Sequence, residues 1–493
     1  MWDLNDALYT AADLREFERR AIGQGIDSDE LMRRAGGAAL ACLRERWPRP
    51  ARIDVVCGPG NNGGDGYVLA RLARLAGVQT LVHRVGEVGS GASAAARARD
   101  AYLAAGGVER PFDADRLREA EVVVDALFGI GLSRPIEGVP REAVQAMNAC
   151  GRPILALDVP SGVQADSGAV LGTAVTATAT VSFIAHKRGL FTGPAVDYTG
   201  DVLLRSLDLP REVYAGVAPS VMRLAPRSLP ALLPRRRRGA HKGEFGHVLV
   251  VGGDYGMPGA VRLAAEAALR AGAGRVTVAT RPEHVAAVTA ARPELMCRGV
   301  QTAAELELLL AAATVVVVGP GLGRGEWSRA LRDSVLASEL PLVVDADALN
   351  LFSGTPRPRG NWVLTPHPGE AARLLGSDVM AVQADRFAAV ATVARAFDAI
   401  AVLKGAGTLV ADAAGSMRLC DRGNPGLASA GCGDVLAGVI GGLLAQGLDL
   451  RAAAETGVLV HALAADRAAR DGERGMLAGD LFAALRATVN PHG

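Results

Sequence analysis

The segment NPGLASAGCGDVLAGVIGGLLAQGL (residues 424–448) sets one carboxylate, Asp434, at the start of a strongly apolar helix, directly behind Gly431, Cys432 and Gly433. Backbone amides there would form an anion hole for a transferring phosphoryl group, strengthened by the helix dipole. The adjacent carboxylate can take a hydroxyl proton and so make that oxygen a nucleophile toward phosphorus. Capping alone would need fewer glycines. Upstream, LKGAGT (Lys404, Gly405, Gly407, Thr408) offers another phosphate-contacting loop. Asp345 and Asp347 read as groups that orient water or Mg²⁺ near the phosphates, or as strand-end caps. His367 lies between two prolines and close to Glu370 at a strand end, which favours a site role over a structural one.

A second set of candidates gathers in the first half. CGPGNNGGDGYVLA (57–70) holds Gly58, Gly60 and Gly63 in the G-x-G-x-x-G spacing of a dinucleotide turn. Glycine there permits a tight turn and lets amides approach an anion at a helix N-terminus. The rest of that fingerprint fails. The second strand ends LVHRVGE, with His83 and Arg84 where a ribose-holding acid belongs. Asn61, Asn62 and Asp65 add side-chain oxygens and amides, so the loop reads as binding a polar substrate, an oxygen-coordinated cation, or both. Asp125 (VVVDALFGIGLSRPIEG) and Asp158 (LALDVPSGV) end two further strands, with Ser161 three residues beyond Asp158. Asn62, Asp125 and Ser161 could surround a monovalent cation, leaving Asp158 for proton transfer. Any one of these Asp residues alone would read as a cap; three polar strand-end loops in one sheet would not.

Of 53 basic residues only Lys187, Lys242 and Lys404 are lysines. A chain that writes arginine almost everywhere retains lysine where a compact, flexible ammonium is wanted.

The elements that must position these residues are alternating strands and helices. RIDVVC, QTLVHRV, EVVVDALF, PILALDV and ATATVSFIA read as buried strands, with helical patterns between the first four and a largely helical stretch over the first 50 residues. A second series comprises FGHVLVVGG, GRVTVAT, TVVVVGPGLG, LPLVVDADALN, NWVLTPHPGE and AIAVLKGAGTLVA, the last taken as one strand. Such alternation predicts parallel sheets covered by helices, with ligands at the carboxyl ends of the strands. The proline-rich stretch at about 208–240, ending in Arg235–Arg238, reads as a solvated interdomain connection.

At 493 residues the chain exceeds one ordinary core. A hydrophobic content of 49% with 60 glycines suits α/β packing, and a net charge of +1 argues against a nucleic-acid or membrane partner. The acidic, polar start does not read as a signal peptide. The six scattered cysteines (Cys42, Cys57, Cys150, Cys297, Cys420, Cys432) show no paired spacing, so a reducing cytoplasm is expected.

GPGNNGGDG, DALFGIGLSRPIEG, LDVPSG and FIAHKRGLFTGPAVDYTG resemble the signature segments of the NAD(P)H-hydrate epimerase domain, over about residues 10–215. The resemblance implies a Rossmann-like three-layer sandwich, with a hydrate site at Asn61, Asn62, Gly63, Gly64, Asp65, Gly129, Ile130, Gly131, Leu132, Ser133, Arg134, Pro135 and Asp158. It also implies K⁺ held by Asn62, Asp125 and Ser161, and Asp158 as catalytic. Arg33, in LMRRAG, departs from the acid usual there.

HKGEFGHVLVVGGDYGMPGAVRLAAEAALRAGAG, GPGLG, VVDADALN, TPHPGE, LKGAGT and GNPGLASAGCGDVLAG resemble the ADP/ATP-dependent NAD(P)H-hydrate dehydratases, a branch of the ribokinase-like fold, over about residues 229–488. This implies hydrate contacts at Ala260, Gly323, His367 and Asp434, with Asp434 catalytic. Lys404, Gly405, Ala406, Gly407, Thr408 and Gly433 would face ADP or ATP, accompanied by Mg²⁺. Cys432 replaces the usual Thr, which a hole built from backbone amides should tolerate.

The expected organisation is therefore an α/β chain with an epimerase domain over 1–220 and a dehydratase domain over 229–493. The expected partners are NADHX, NADPHX and ADP or ATP, in a homo-oligomer. A small-metabolite kinase fused to a nucleotide-binding domain, or a non-catalytic nucleotide-binding regulator, are the rival readings.

Overall fold

A computed structural model describes residues 3–87, 93–352 and 358–492, and the chain divides into two compact units, residues 1–222 and 223–493. In the first, helices α1 (Ala11–Gly23) and α2 (Ser28–Arg46) precede a parallel sheet. Its strands are β1 (Arg52–Cys57), β2 (Gln79–Arg84), β3 (Val108–Pro111), β4 (Val122–Ala126), β5 (Ile154–Leu157), β6 (Ala179–Phe183) and β7 (Asp201–Arg205). They run in the order β3-β2-β1-β4-β5-β6-β7. The strand order reverses between β1 and β4, and a crevice opens beyond the carboxyl ends of strands at such a switch. The near-continuous apolar runs of β1 and β4 are buried, as a parallel sheet covered on both faces requires. Helix α3 (Asn61–Leu75) leaves β1 through the Gly-rich turn.

The second unit carries β8 (His247–Val251), β9 (Arg275–Thr280), β10 (Met296–Gly299), β11 (Val315–Val318), β12 (Leu342–Val344), β13 (Trp362–Leu364), β14 (Ile400–Leu403), β15 (Thr408–Ala411) and β16 (Met417–Cys420). Their order is β10-β9-β8-β11-β12-β13-β14-β15-β16. Pairing is parallel as far as β14; β15 and β16 are antiparallel. The site-bearing helices are α4 (Pro258–Ala271), α5 (Ala346–Leu351), α6 (Pro368–Leu375), α7 (Cys432–Ala445) and α8 (Leu450–Ala468).

AIAVLKGAGTLVA, read as one strand, is a hairpin: β14 and β15 pair antiparallel about Lys404–Gly407. Gly405 (φ 128°) and Gly407 (φ 61°) supply left-handed backbone there. Strands β3 and β10 escaped the sequence reading because these short, mostly exposed edge strands (VERP and MCRG) carry no apolar run. The Arg235–Arg238 run is exposed but anchored to its own unit rather than freely solvated. The Arg236 guanidinium stacks 3.6 Å from the Phe245 ring centroid, and Arg237 pairs with Glu244 at 2.8 Å. Among the described residues no helix is long and apolar enough to cross a membrane.

Candidate functional sites

In the first unit a cavity of about 660 Å³ lies at the carboxyl ends of the strands. Asn61 and Asn62 reach it from the first turn of α3 and Asp65 from the next, Gly129–Arg134 from the loop after β4, and Asp158 from the end of β5. Gly63, Gly64, Pro135, Asp125 and Ser161 do not line it. Gly63 is a packing residue, since a Cβ there would stand 1.9 Å from the Gly58 carbonyl oxygen. Arg33 lies outside the cavity, paired with Glu30 at 2.6 Å, so its departure from the family pattern leaves the cavity wall intact.

Asp158 holds a left-handed backbone (φ 67°), uncommon for a residue with a side chain. Its carboxylate accepts from the Ile130 amide at 3.3 Å and forms an ion pair with Lys187. The Lys187 ammonium, 1% exposed, also donates to the Phe183 carbonyl at 2.8 Å. Asp158 is therefore held by a cation rather than left free. The scarcity of lysine pointed to Lys187, but nothing in the sequence named its partner.

Beside the cavity, Asp125 is fully buried. Its oxygens accept from the Ser161 amide (2.8 Å), the Ser161 hydroxyl (2.7 Å) and the Leu127 amide (3.1 Å). Burial pushes its carboxyl up to about 6 against the pull of those hydrogen bonds. Among the described residues no cation is a partner of Asp125, and the buried amide group of Asn62 has no hydrogen-bond partner on either atom. The buried Asp125 carboxylate and the unpartnered Asn62 amide oxygen are hard oxygen donors of the kind that fit a monovalent cation.

In the second unit the strand ends converge on Asp434. Its amide and that of Gly433 precede the first intrahelical bond of α7, from Val435 N–H to the Gly431 carbonyl, and so remain open to a ligand. The hole is narrower than expected, because the Cys432 amide already bonds the Ser429 carbonyl at 3.4 Å. The Cys432 side chain packs into the core, so replacing Thr leaves the hole untouched. His461 on α8 bonds the Cys432 carbonyl at 3.0 Å, and burial lowers it to about 4, which keeps the imidazole neutral.

Lys404 donates to Asp345 at 2.7 Å and lies 3.8 Å from Glu370. A Cβ on Gly433 would stand 3.3 Å from the Lys404 nitrogen. Asp345 does not cap α5 with its side chain; it takes the Lys404 ammonium and the Thr365 hydroxyl (2.8 Å) instead. Asp347 accepts the Gly323 amide at 2.9 Å. That glycine loop also touches the start of α4, where a Cβ on Gly321 would stand 3.2 Å from Cβ of Ala260. The Thr408 hydroxyl donates to the Gly405 carbonyl at 2.8 Å, closing the loop that contains Ala406.

Burial, then repulsion from Asp345, raises the Asp434 carboxyl to about 7, with Lys404 opposing. His367 caps α6: its Nδ1 accepts from the Gly369 amide at 3.0 Å, which leaves the proton on Nε2. Burial lowers its affinity for a second proton, so His367 offers a neutral N–H donor on a half-exposed ring. Sequence reasoning missed Glu370 and His461 as members of this cluster; Glu370 was noted only as a neighbour of His367.

Two family models match the chain: NAD(P)H-hydrate dehydratase over residues 248–487, and YjeF-related protein N-terminus over residues 28–189. A protein of Coxiella burnetii named bifunctional NAD(P)H-hydrate repair enzyme Nnr is 51% identical over 485 residues, covering 98% of this chain and 99% of its own length. The Escherichia coli protein of the same name is 44% identical over 490 residues, covering 98% and 94%. The solved structure of an ADP/ATP-dependent NAD(P)H-hydrate dehydratase from Bacillus subtilis, co-crystallized with ATP/Mg²⁺, matches with a TM-score of 0.50 and 29% identity. It covers 54% of this chain and 97% of the other. The chain belongs to the family of bifunctional NAD(P)H-hydrate repair enzymes.

Proposed function

We propose that the chain repairs hydrated nicotinamide nucleotides, the first unit interconverting the R and S hydrates and the second dehydrating the S form at the expense of ADP or ATP. The observation that carries the second activity is Asp434 beside two open amides and Lys404. The hydrate bears a hydroxyl at C6 of the reduced ring, and hydroxide is a poor leaving group. Asp434 takes the hydroxyl proton as the hydroxyl oxygen attacks the terminal phosphorus of the nucleotide, whose bond to the bridging oxygen breaks and releases AMP from ADP, or ADP from ATP. The Gly433 and Asp434 amides hold the transferring group, and Lys404 and the glycine loop at 404–408 hold the nucleotide. Phosphate then leaves C6 with the electron pair of the C–O bond, pushed by the ring nitrogen, and loss of the C5 proton restores the double bond. His367, Ala260 and Gly323 would contact the hydrate.

The acidic surround fits a magnesium ion arriving with the phosphates. Asp345 and Asp347 would hold it, and it would supply charge neutralisation at the phosphoryl group. In the first unit Asn62, Asp125 and Ser161 would hold K⁺, while Asp158, paired with Lys187, moves a proton of the hydrate. The loops at 61–65 and 129–135 would bind the rest of that substrate.

The test is to supply mixed NADH hydrate epimers with and without ADP or ATP and to follow reduced-nicotinamide absorbance. Asp434→Ala should abolish nucleotide-dependent dehydration and spare epimerisation; retained dehydration would sink the assignment. A small-metabolite kinase would instead leave a stable phosphorylated product.

A further inference from the structure

Helix α1 brings into the first unit's cavity a carboxylate that no motif in the sequence singles out. Glu18 lines that cavity together with Asp65, Asp158 and Lys187. The helix is fixed at its start by a capping box between Thr10 and Asp13. It is held on the core by Leu14, Phe17 and Ala21, with Phe17 packing 5.0 Å from the rings of Tyr9 and Tyr214. Glu18 is thus presented from a rigid element.

Its surroundings differ from those of an ordinary helix-surface glutamate. Glu16, two residues earlier, pairs with Arg19 at 2.7 Å and Arg20 at 2.6 Å. Among the described residues the Glu18 carboxyl has neither a hydrogen-bond nor an ion-pair partner. The charges facing it are Asp158 and Lys187 from the strand ends, Asp65 from α3 and Arg15 from its own helix. Lys187 is already engaged by Asp158. Burial, then repulsion from Asp158, therefore raises Glu18 above the usual glutamate range.

Epimerisation by loss and return of water takes the hydroxyl from one face of the ring and restores it to the other, so on this route proton-carrying groups have to reach both faces. Resting on the reading of this unit as the epimerase, we infer that Glu18 is a catalytic residue that contacts the hydrate and serves the face Asp158 does not. Glu18 gives its proton to the C6 hydroxyl oxygen. The C–O bond breaks with its electron pair going to oxygen, water is released, and the ring nitrogen's lone pair forms an iminium. Water adds to C6 from the other face, the nitrogen recovers its pair, and the Asp158 carboxylate takes the proton released. The hydrate gains and loses one water and one proton, solvent carries the proton from Asp158 back to Glu18 to reset the site, and the reverse direction exchanges the two roles.

The experiment uses the full chain without nucleotide, R-enriched NADH hydrate, and chromatographic resolution of the epimers over time. Glu18→Gln should lower kcat for epimerisation by about 10²-fold or more, with KM within about threefold of wild type. It should also remove the loss of rate at alkaline pH that deprotonation of an acid produces. Glu18→Asp should restore part of the rate, and Glu16→Gln on the same helix should match wild type. Wild-type kcat and an unchanged pH profile in Glu18→Gln would overturn the assignment. So would a loss of kcat that Glu18→Asp fails to restore and that accompanies a lowered Tm, because that pattern marks a structural role. A wild-type chain that leaves the epimers untouched would overturn the epimerase reading itself, and this assignment with it.

Discussion

Asp434 combines a mechanistic demand with a cost to the fold. As the proposed base, Asp434 must be deprotonated to take the hydroxyl proton, and burial with repulsion from Asp345, Asp347 and Glu370 brings its titration to about 7. Dehydratase kcat/KM should therefore fall about tenfold per pH unit below that value and level off above it, which a pH–rate profile at fixed Mg²⁺ and ADP would read. The same shift has a sign for stability. An unfolded aspartate titrates near 4, so between about pH 4 and 7 the folded chain binds a proton that the unfolded chain does not. This group's contribution to stability therefore declines as pH rises through that window. Asp434→Asn removes the buried charge. It should be inactive yet at least as stable as wild type, by about 1–2 kcal/mol above pH 7 and by nothing near pH 4. A Tm below wild type at pH 8 would contradict the argument.

At the scale of elements, glycines decide how closely the site-bearing segments approach. A Cβ on Gly438 would stand 2.0 Å from the Ala264 carbonyl oxygen, and one on Gly442 2.6 Å from that of Ala268. The run AGVIGGLL therefore lets α7, which carries Asp434 in its first turn, lie directly on α4. In the first unit the three glycines of the dinucleotide spacing are unequal. A Cβ on Gly58 would stand 2.0 Å from the Leu127 carbonyl oxygen and one on Gly63 1.9 Å from that of Gly58, whereas Gly60 has nothing within 4 Å and no positive φ. Gly58→Ala and Gly63→Ala should each cost about 3 kcal/mol or more, while Gly60→Ala should stay within about 0.5 kcal/mol, as chemical denaturation would show. This contrast marks where the sequence was legible. The buried β-branched runs and their Gly- or Asp-bearing ends announced the parallel sheets and the strand-end loops, because period and composition are local. The partners of Lys187, the cavity-facing side of Glu18 and the His461 bond beneath α7 depend on contacts between distant segments, which no local pattern encodes, whereas the turn inside AIAVLKGAGTLVA was signalled locally by Gly405 and Gly407.

For the whole molecule, two separate compact units carry two chemistries on one substrate pool. A stereospecific dehydratase consumes one epimer and strands the other, so joining an epimerase to it in one chain keeps both reactions at equal abundance. This makes the time course diagnostic. With mixed epimers, ADP and Mg²⁺, the wild-type chain should convert the whole pool to reduced nucleotide in one continuous phase. Asp158→Asn, which removes the carboxylate held by Lys187 without touching the second unit, should leave the initial rate of dehydration unchanged. The S form should then run out, and the remainder should follow only at the rate of uncatalysed epimerisation. Supplying a small amount of wild-type chain should restore the single phase, since the R form is the only material left. A single phase in Asp158→Asn would mean that epimerisation does not depend on this carboxylate, and an initial rate reduced in proportion to the late rate would mean that the two units do not act independently.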